Sequence, residues 1–233
     1  MSSNRLGHYS GLMEPIALLF DLDGTIVDTE SACMEALTRV GAEHGVTLSE
    51  DHYAGYVGRA WDAVFDELAN EIGLARPGRM DLARRVLEVY EATLQDHLPT
   101  VPGSVELVRA AHALPREQVR LALITGSTPR QAHSYLSRLG ILELFEVVLG
   151  DGQYAHSKPH PAGYRKAMNT LHMDPARCVV FEDSLAGIAS GRGAGATVVA
   201  IAHANHFGQD QSAAHHHVQD LHEVDVPWCR GLL

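Results

Sequence analysis

The chain is poor in cysteine, in aromatic residues and in long apolar runs, and it carries no surplus of positive charge. Its three cysteines, Cys33, Cys178 and Cys229, are too scattered for a metal-binding spacing and cannot all pair, which excludes a disulfide scaffold and suits a reducing compartment. No apolar stretch approaches the roughly 18 residues of a membrane span. With 45% hydrophobic and 20% charged residues over 233 positions, the composition is that of an ordinary soluble protein able to bury a sizeable core. The formal charge of −11 argues against a nucleic-acid backbone as partner, so any anionic ligand must be won by a local cluster. Residues 1–13 are polar and lack a basic-then-apolar signal layout, so a flexible tail and a cytoplasmic location are expected. Internal repeats and low-complexity segments are also lacking.

What the chain does have is a rhythm of short buried runs. Ile16-Ala17-Leu18-Leu19-Phe20 reads as a strand that ends on Asp21-Leu22-Asp23-Gly24-Thr25. Three helical patterns follow: Thr29 to His44, with Cys33, Met34, Leu37, Val40 and Gly41 on one face; Trp61 to Ile72; and a third carrying Ala83, Val86, Leu87, Tyr90 and Leu94. Pro77-Gly78 reads as a break between the last two. From Pro99 onward strand and helix alternate. Strands are expected at 119–124, 145–149, 178–181 and 197–201, and helices at 105–114, 128–139, 161–171 and 185–194. That alternation predicts an α/β fold, a doubly wound parallel sheet with helices on both faces, into which a small α-helical unit is inserted. The expected boundaries are 14–29 with 99–233 for the core and 30–98 for the inserted helices. Three glycines in 185–194 imply either close packing on the sheet or a helix end near Gly191. His215-His216-His217 reads as a solvated loop entering a short edge strand, because neighbours on extended chain point alternately and cannot all grip one ion.

Four clusters fall just after strands or in the loops they feed: Asp21-Leu22-Asp23-Gly24-Thr25, Thr125-Gly126-Ser127, Lys158-Pro159 and Glu182-Asp183-Ser184. In a parallel sheet these ends share one edge, where ligands bind. Alternation points Asp21 and Asp23 the same way, about 7 Å apart by strand rise. With Glu182 and Asp183 the edge would gather four carboxylates. Two unit charges 4 Å apart repel by about 4 kcal/mol at an effective dielectric near 20. Such a cluster wants a cation or a proton, and hard oxygen ligands without histidine or cysteine favour Mg²⁺. The Thr125 hydroxyl, amide N–H groups of Gly126 and Ser127 at a helix start, and the Lys158 ammonium are phosphate-binding parts. Placed around one phosphomonoester, Asp21 would attack phosphorus and Asp23 would protonate the leaving oxygen and then activate water. Glu182 and Asp183 would complete the metal shell.

These motifs, with Ile26-Val27-Asp28-Thr29, Lys158-Pro159-His160-Pro161 and Phe181-Glu182-Asp183-Ser184-Leu185-Ala186-Gly187, resemble the haloacid dehalogenase superfamily. The likeness runs from about Glu14 to at least Ile201, in the helical-cap subgroup that includes phosphoglycolate phosphatase and β-phosphoglucomutase. The resemblance implies a Rossmann-like core with a cap at 30–98. It also implies Asp21 as nucleophile, Asp23 as acid/base and as a metal ligand through its backbone carbonyl, Thr125 and Lys158 on the phosphate, and Mg²⁺ held by Asp183 with Glu182 beside it.

Within that superfamily, Asp23 argues against dehalogenation, whose enzymes lack an acid two residues after the nucleophile. The absence of lysine from 30–98 argues against phosphonate hydrolysis through a cap Schiff base. The mutase shares every core motif, but its members carry histidine where Cys33 stands and basic residues on both sides of a cap glycine. Gly58 here has Val57 before it and Arg59 after it, with Trp61 near the second basic position. The expected function is therefore a phosphatase acting on a small phosphorylated metabolite, with Arg59 reaching the substrate from the cap. A mutase and a catalytically silent binding protein are the alternatives.

Overall fold

A computed structural model describes residues 14–49, 52, 61–73, 76–205 and 208–233, with backbone only at 61–63, 76 and 77. Strand β1 is Ile16–Phe20, followed by helices α1 (Thr29–Glu43), α2 (Trp61–Glu71) and α3 (Arg76–Asp96). Then come α4 (Ser104–His112), β2 (Val119–Ile124), α5 (Pro129–Arg138), β3 (Val147–Leu149) and α6 (Ala162–Thr170). The chain closes with β4 (Cys178–Glu182), α7 (Leu185–Ala194), β5 (Thr197–Ile201), β6 (His216–Val218) and α8 (Val226–Gly231).

The six strands form one parallel sheet in the order β3-β2-β1-β4-β5-β6. β1 sits between β2 and β4 and is buried on both faces, which is why it is an unbroken apolar run rather than an alternating one. Its period of two assigns Leu18 and Phe20 to one face, against α4 and α5, and Ala17 and Leu19 to the other, against α6 and α7. Phe20 stacks on Phe181 of β4 at 4.8 Å between ring centroids and meets Phe145 edge-on at 6.1 Å. A third cluster, separate from these, joins Leu37 and Val40 of α1, Leu68 of α2 and Val86 of α3. Arg138 of α5 ties this helical unit to the sheet domain by donating to the carbonyls of Leu94 and Gln95 at 2.5 and 2.8 Å, where α3 runs out of internal partners.

The structure corrects several details of the sequence reading. Pro77-Gly78 is no break: it lies in the first turn of α3, where a proline's missing N–H costs nothing. Leu87, expected on the packed face of that helix, is 41% exposed, and Val89 is buried instead. β3 begins at Val147 rather than Phe145, the latter following a 3₁₀ turn at Leu142–Leu144. Two of the three glycines of α7, Gly187 and Gly191, are there for close packing, and the helix does not end at Gly191. A Cβ on Gly187 would overlap the Glu182 carboxylate, one on Gly191 would lie 2.9 Å from Val198, and the helix runs on to a left-handed Gly195. His216 and His217 lie within the edge strand β6 rather than in a loop ahead of it.

Candidate active site

All the described candidate residues collect at the carboxyl edge of the sheet. Asp21 follows β1 directly, Thr125 follows β2, and Glu182 ends β4 with Asp183 just beyond it. Gly24 turns the chain back at φ +77°, and a Cβ there would lie 2.2 Å from Asp183 Oδ2, so only glycine lets the two loops touch. Lys158 comes from the segment between β3 and α6, and its Nζ donates to Asp21 Oδ1 and Glu182 Oε1, each at 2.5 Å.

Asp21, Glu182 and Asp183 bring carboxylate oxygens within 4.8 Å of one another, all buried. Three buried acids thus share one ammonium. Burial, opposed by Lys158 and reinforced by Glu182 and Asp23, pushes the Asp21 carboxyl up to about 8. Burial with the charges of Glu182 and Asp21 raises Asp183 well above the carboxylate range. Although burial works against its charge, Lys158 is held well above its usual range by Asp21 and Glu182. Glu182 is fully engaged: Oε1 also accepts from Tyr164 OH at 2.7 Å, and Oε2 accepts from Ser184 Oγ at 3.1 Å. Asp183 is not. Its Oδ1 is buried and accepts no hydrogen bond among the described residues.

Asp23 departs from the expected four-acid cluster. Its Oδ2 accepts from Ser127 Oγ at 2.6 Å and Thr125 Oγ1 at 3.2 Å, turning the carboxylate toward the loop after β2 rather than toward Asp183. That loop is not a helix start, since α5 begins at Pro129 with Thr128 as its cap, and the Ser127 amide already donates to Thr125 Oγ1 at 2.9 Å. Tyr154 OH donates to the Thr125 carbonyl at 2.8 Å and steadies the turn.

The groups line a cleft of about 330 Å³ that includes Asp21, Asp23, Thr125, Gly126, Ser127, Lys158 and Asp183, along with Thr29, Glu30 and Ser184. Arg59 lies outside the described residues. Sequence reasoning missed Tyr164, whose hydroxyl lies beside Glu182 across the sheet, and Glu30, which reaches the cleft from the first turn of α1. Asp28 caps α1 through Ser31, and the Nε2 of His203 lies 3.8 Å from its carboxylate.

An open parallel sheet with a buried acid–lysine cluster in a cleft at its carboxyl edge has the layout of an α/β enzyme's ligand-binding edge. The profile of the haloacid dehalogenase-like hydrolases matches residues 18–201, and the chain belongs to that family. It is 33% identical over 213 residues to validoxylamine A 7'-phosphate phosphatase of Streptomyces hygroscopicus, covering 90% of this chain and 95% of that protein. It is 29% identical over 179 residues to a phosphorylated carbohydrates phosphatase of Thermotoga maritima, covering 77% and 81%. Among solved structures, one from Thermotoga maritima described provisionally as a β-phosphoglucomutase superposes with a TM-score of 0.73 at 27% identity, covering 88% of this chain and 94% of that one. Among the described residues no helix is long and apolar enough to cross a membrane.

Proposed function

We propose that the chain is a Mg²⁺-dependent phosphatase that hydrolyses a small phosphorylated carbohydrate through an aspartyl-phosphate on Asp21. The observation that carries this reading is the buried trio Asp21, Glu182 and Asp183 beside the Lys158 ammonium, with Asp183 Oδ1 left without a partner among the described residues. An orphaned buried carboxylate oxygen among hard ligands fits a divalent cation. Asp21, Asp183 and the Asp23 carbonyl would hold the ion, with Glu182, already saturated by Lys158, Tyr164 and Ser184, as a flanking charge. Bound there, Mg²⁺ supplies positive charge that keeps Asp21 ionised and offsets the charge of the phosphoryl group.

The chain's own residues do the rest. The Thr125 hydroxyl, the Gly126 amide and the Lys158 ammonium bind the phosphoryl oxygens. An Asp21 oxygen forms a bond to phosphorus as the ester oxygen leaves, and Asp23 gives that oxygen its proton. Water then attacks the phospho-aspartate, returns a proton to Asp23, and frees Asp21 and inorganic phosphate. Ser127 holds Asp23 over the leaving group, while the one proton of the Thr125 hydroxyl, given to Asp23 in the free site, turns to the phosphoryl group.

The structural likeness to a β-phosphoglucomutase keeps the mutase as a second reading. Against it, Cys33 is half-buried, and burial pushes its thiol up to about 12, so it cannot replace a histidine that moves protons near neutrality. Phosphate release from a panel of sugar phosphates and phosphoglycolate, with Mg²⁺ or EDTA, tests the proposal. Hydrolysis should require the metal, and Asp21→Asn should abolish it by about a thousandfold or more. Turnover surviving that substitution, or conversion of β-glucose 1-phosphate to a 6-phosphate faster than phosphate release, would refute it.

A further inference from the structure

The loop after β5 stands outside the chemistry described so far, yet it grips the turn that carries Asp183 at two points. Gln211 is polar and only 9% exposed. Its Nε2 donates to the Asp183 carbonyl at 2.6 Å and to the Ile201 carbonyl at 2.8 Å. An amide NH₂ has two protons, and here each has a backbone acceptor. The two carbonyls lie where β4 and β5 separate, one residue beyond their last ladder pair, Glu182 with Ala200. Gln209, from the same loop, accepts the Leu185 amide at 3.2 Å through Oε1, satisfying one of the free N–H groups at the start of α7. Gln209 is fastened in turn, its amide donating to Asn205 Oδ1 at 2.7 Å.

Gln211 is itself held from behind. Its carbonyl accepts from His217 Nε2 at 2.9 Å and from the Ala214 amide at 3.0 Å. A carbonyl only accepts, so His217 Nε2 carries the proton, in the neutral and the charged ring alike. The histidine triplet thus has a structural use at its third member. The Asp183 side chain, by contrast, has Oδ1 buried with no hydrogen-bond partner among the described residues, and Oδ2 so near Gly24 that a Cβ there would lie 2.2 Å from it.

We infer that Gln211 is a positioning residue for the acidic cluster. By tying the Asp183 carbonyl to the end of β5, it fixes the direction in which Asp183 presents its carboxylate to a divalent cation, and His217 holds Gln211 in place. The inference rests on the metal-dependent reading of the site given above. Groups that orient metal ligands from outside cost about 10- to 100-fold in metal affinity when removed.

Calorimetric titration of the full chain with Mg²⁺ alone tests it. Gln211→Met keeps the length and loses both donors, and its dissociation constant for Mg²⁺ should rise about tenfold or more. KM for the phosphomonoester at saturating Mg²⁺ should stay near the wild-type value. His217→Phe should weaken Mg²⁺ in the same direction by a smaller factor, and His217→Gln, which offers an amide N–H where Nε2 stood, should restore it. Unchanged Mg²⁺ affinity in a folded Gln211→Met protein overturns the inference and leaves the active-site reading intact. Absence of Mg²⁺ binding by the wild type overturns that reading and the inference with it. Should Gln211→Met not fold, the histidine pair decides: weakening in His217→Phe alone supports the inference, and equal affinity in both variants overturns it.

Discussion

At the scale of single residues, the site is built by what is absent as much as by what is present. Gly24 has φ +77° and leaves no room for a Cβ, which would overlap Asp183 Oδ2 at 2.2 Å. Gly24→Ala therefore combines a left-handed conformation, costing about 1–2 kcal/mol for an L-residue, with a collision on the Asp183 carboxylate. Equilibrium unfolding in EDTA should show a loss of at least about 1 kcal/mol, and Mg²⁺ titration should show weaker binding. A variant as stable as the wild type would mean that the two loops do not touch. The gathering of Asp21, Thr125, Lys158 and the Glu182-Asp183 pair at one edge was legible in the sequence because each stands at the end of a buried run or, for Lys158, in the loop such a run feeds, and runs in a parallel sheet end on a common edge. Tyr164 and Gln211 were not. Their roles depend on which loop crosses which strand, and a tyrosine on a helix face or a glutamine in a loop carries no such signal alone.

At the scale of elements, α7 shows how packing overrides helix propensity. Glycine costs about 1 kcal/mol against alanine in a helix interior, so three of them in one helix call for a reason. At Gly191 the reason is contact: a Cβ would lie 2.9 Å from Val198 and 3.0 Å from Val180, both stiff side chains in the sheet. At Gly193 there is none, since a Cβ would meet Pro161 at an ordinary 3.5 Å. Gly193→Ala should stabilise the protein by about 0.5–1 kcal/mol, whereas Gly191→Ala should destabilise it, overpacking of about 1–3 kcal/mol outweighing the propensity gain. Urea midpoints of the two variants moving in the same direction would contradict this account. The same element shows what sequence reading can do. The bounds of α7, β2 and β5 were legible because apolar runs and flanking turn residues agree, whereas the choice between close packing and a helix end had to wait for the neighbours. α3 misled because Pro-Gly punctuates a chain most often as a turn, and only the register of the following helix makes it a first turn.

At the scale of the whole molecule, the acidic cluster couples folding to pH and, on the proposed metal-dependent reading, to Mg²⁺. Unfolded, Asp21 would ionise near 3.8; folded and without metal, it does so at about 8, and Asp183 is raised as well. A raised acid binds more protons folded than unfolded, so its contribution is full below about pH 4 and is lost as pH climbs toward 8. Lys158, raised from an already high value, stays charged in both states across that window. The metal-free protein should therefore lose stability between about pH 5 and 8 from this cluster, and Mg²⁺, which takes the place of the protons, should restore it. The rise in melting temperature on adding saturating Mg²⁺ should be larger at pH 8 than at pH 6. An equal or smaller rise at pH 8 would show that the cluster is already ionised without the ion.

The position of β1 in the sheet carries a further consequence, for how the protein is made. Its ladder partners are Val119 and Cys178, opposite Ile16 and Ala17 respectively, so the first strand to leave the ribosome has no neighbour until long after. The strand that leads to Asp21 must wait, apolar and unpaired, while about a hundred residues are added at 5–20 per second. Neither ion nor substrate can template that early stage, because Thr125, Lys158 and Asp183 are still to be synthesised. Completion of the sheet around β1 thus depends on long-range strand pairing, the kind of contact that slows folding in high-contact-order folds.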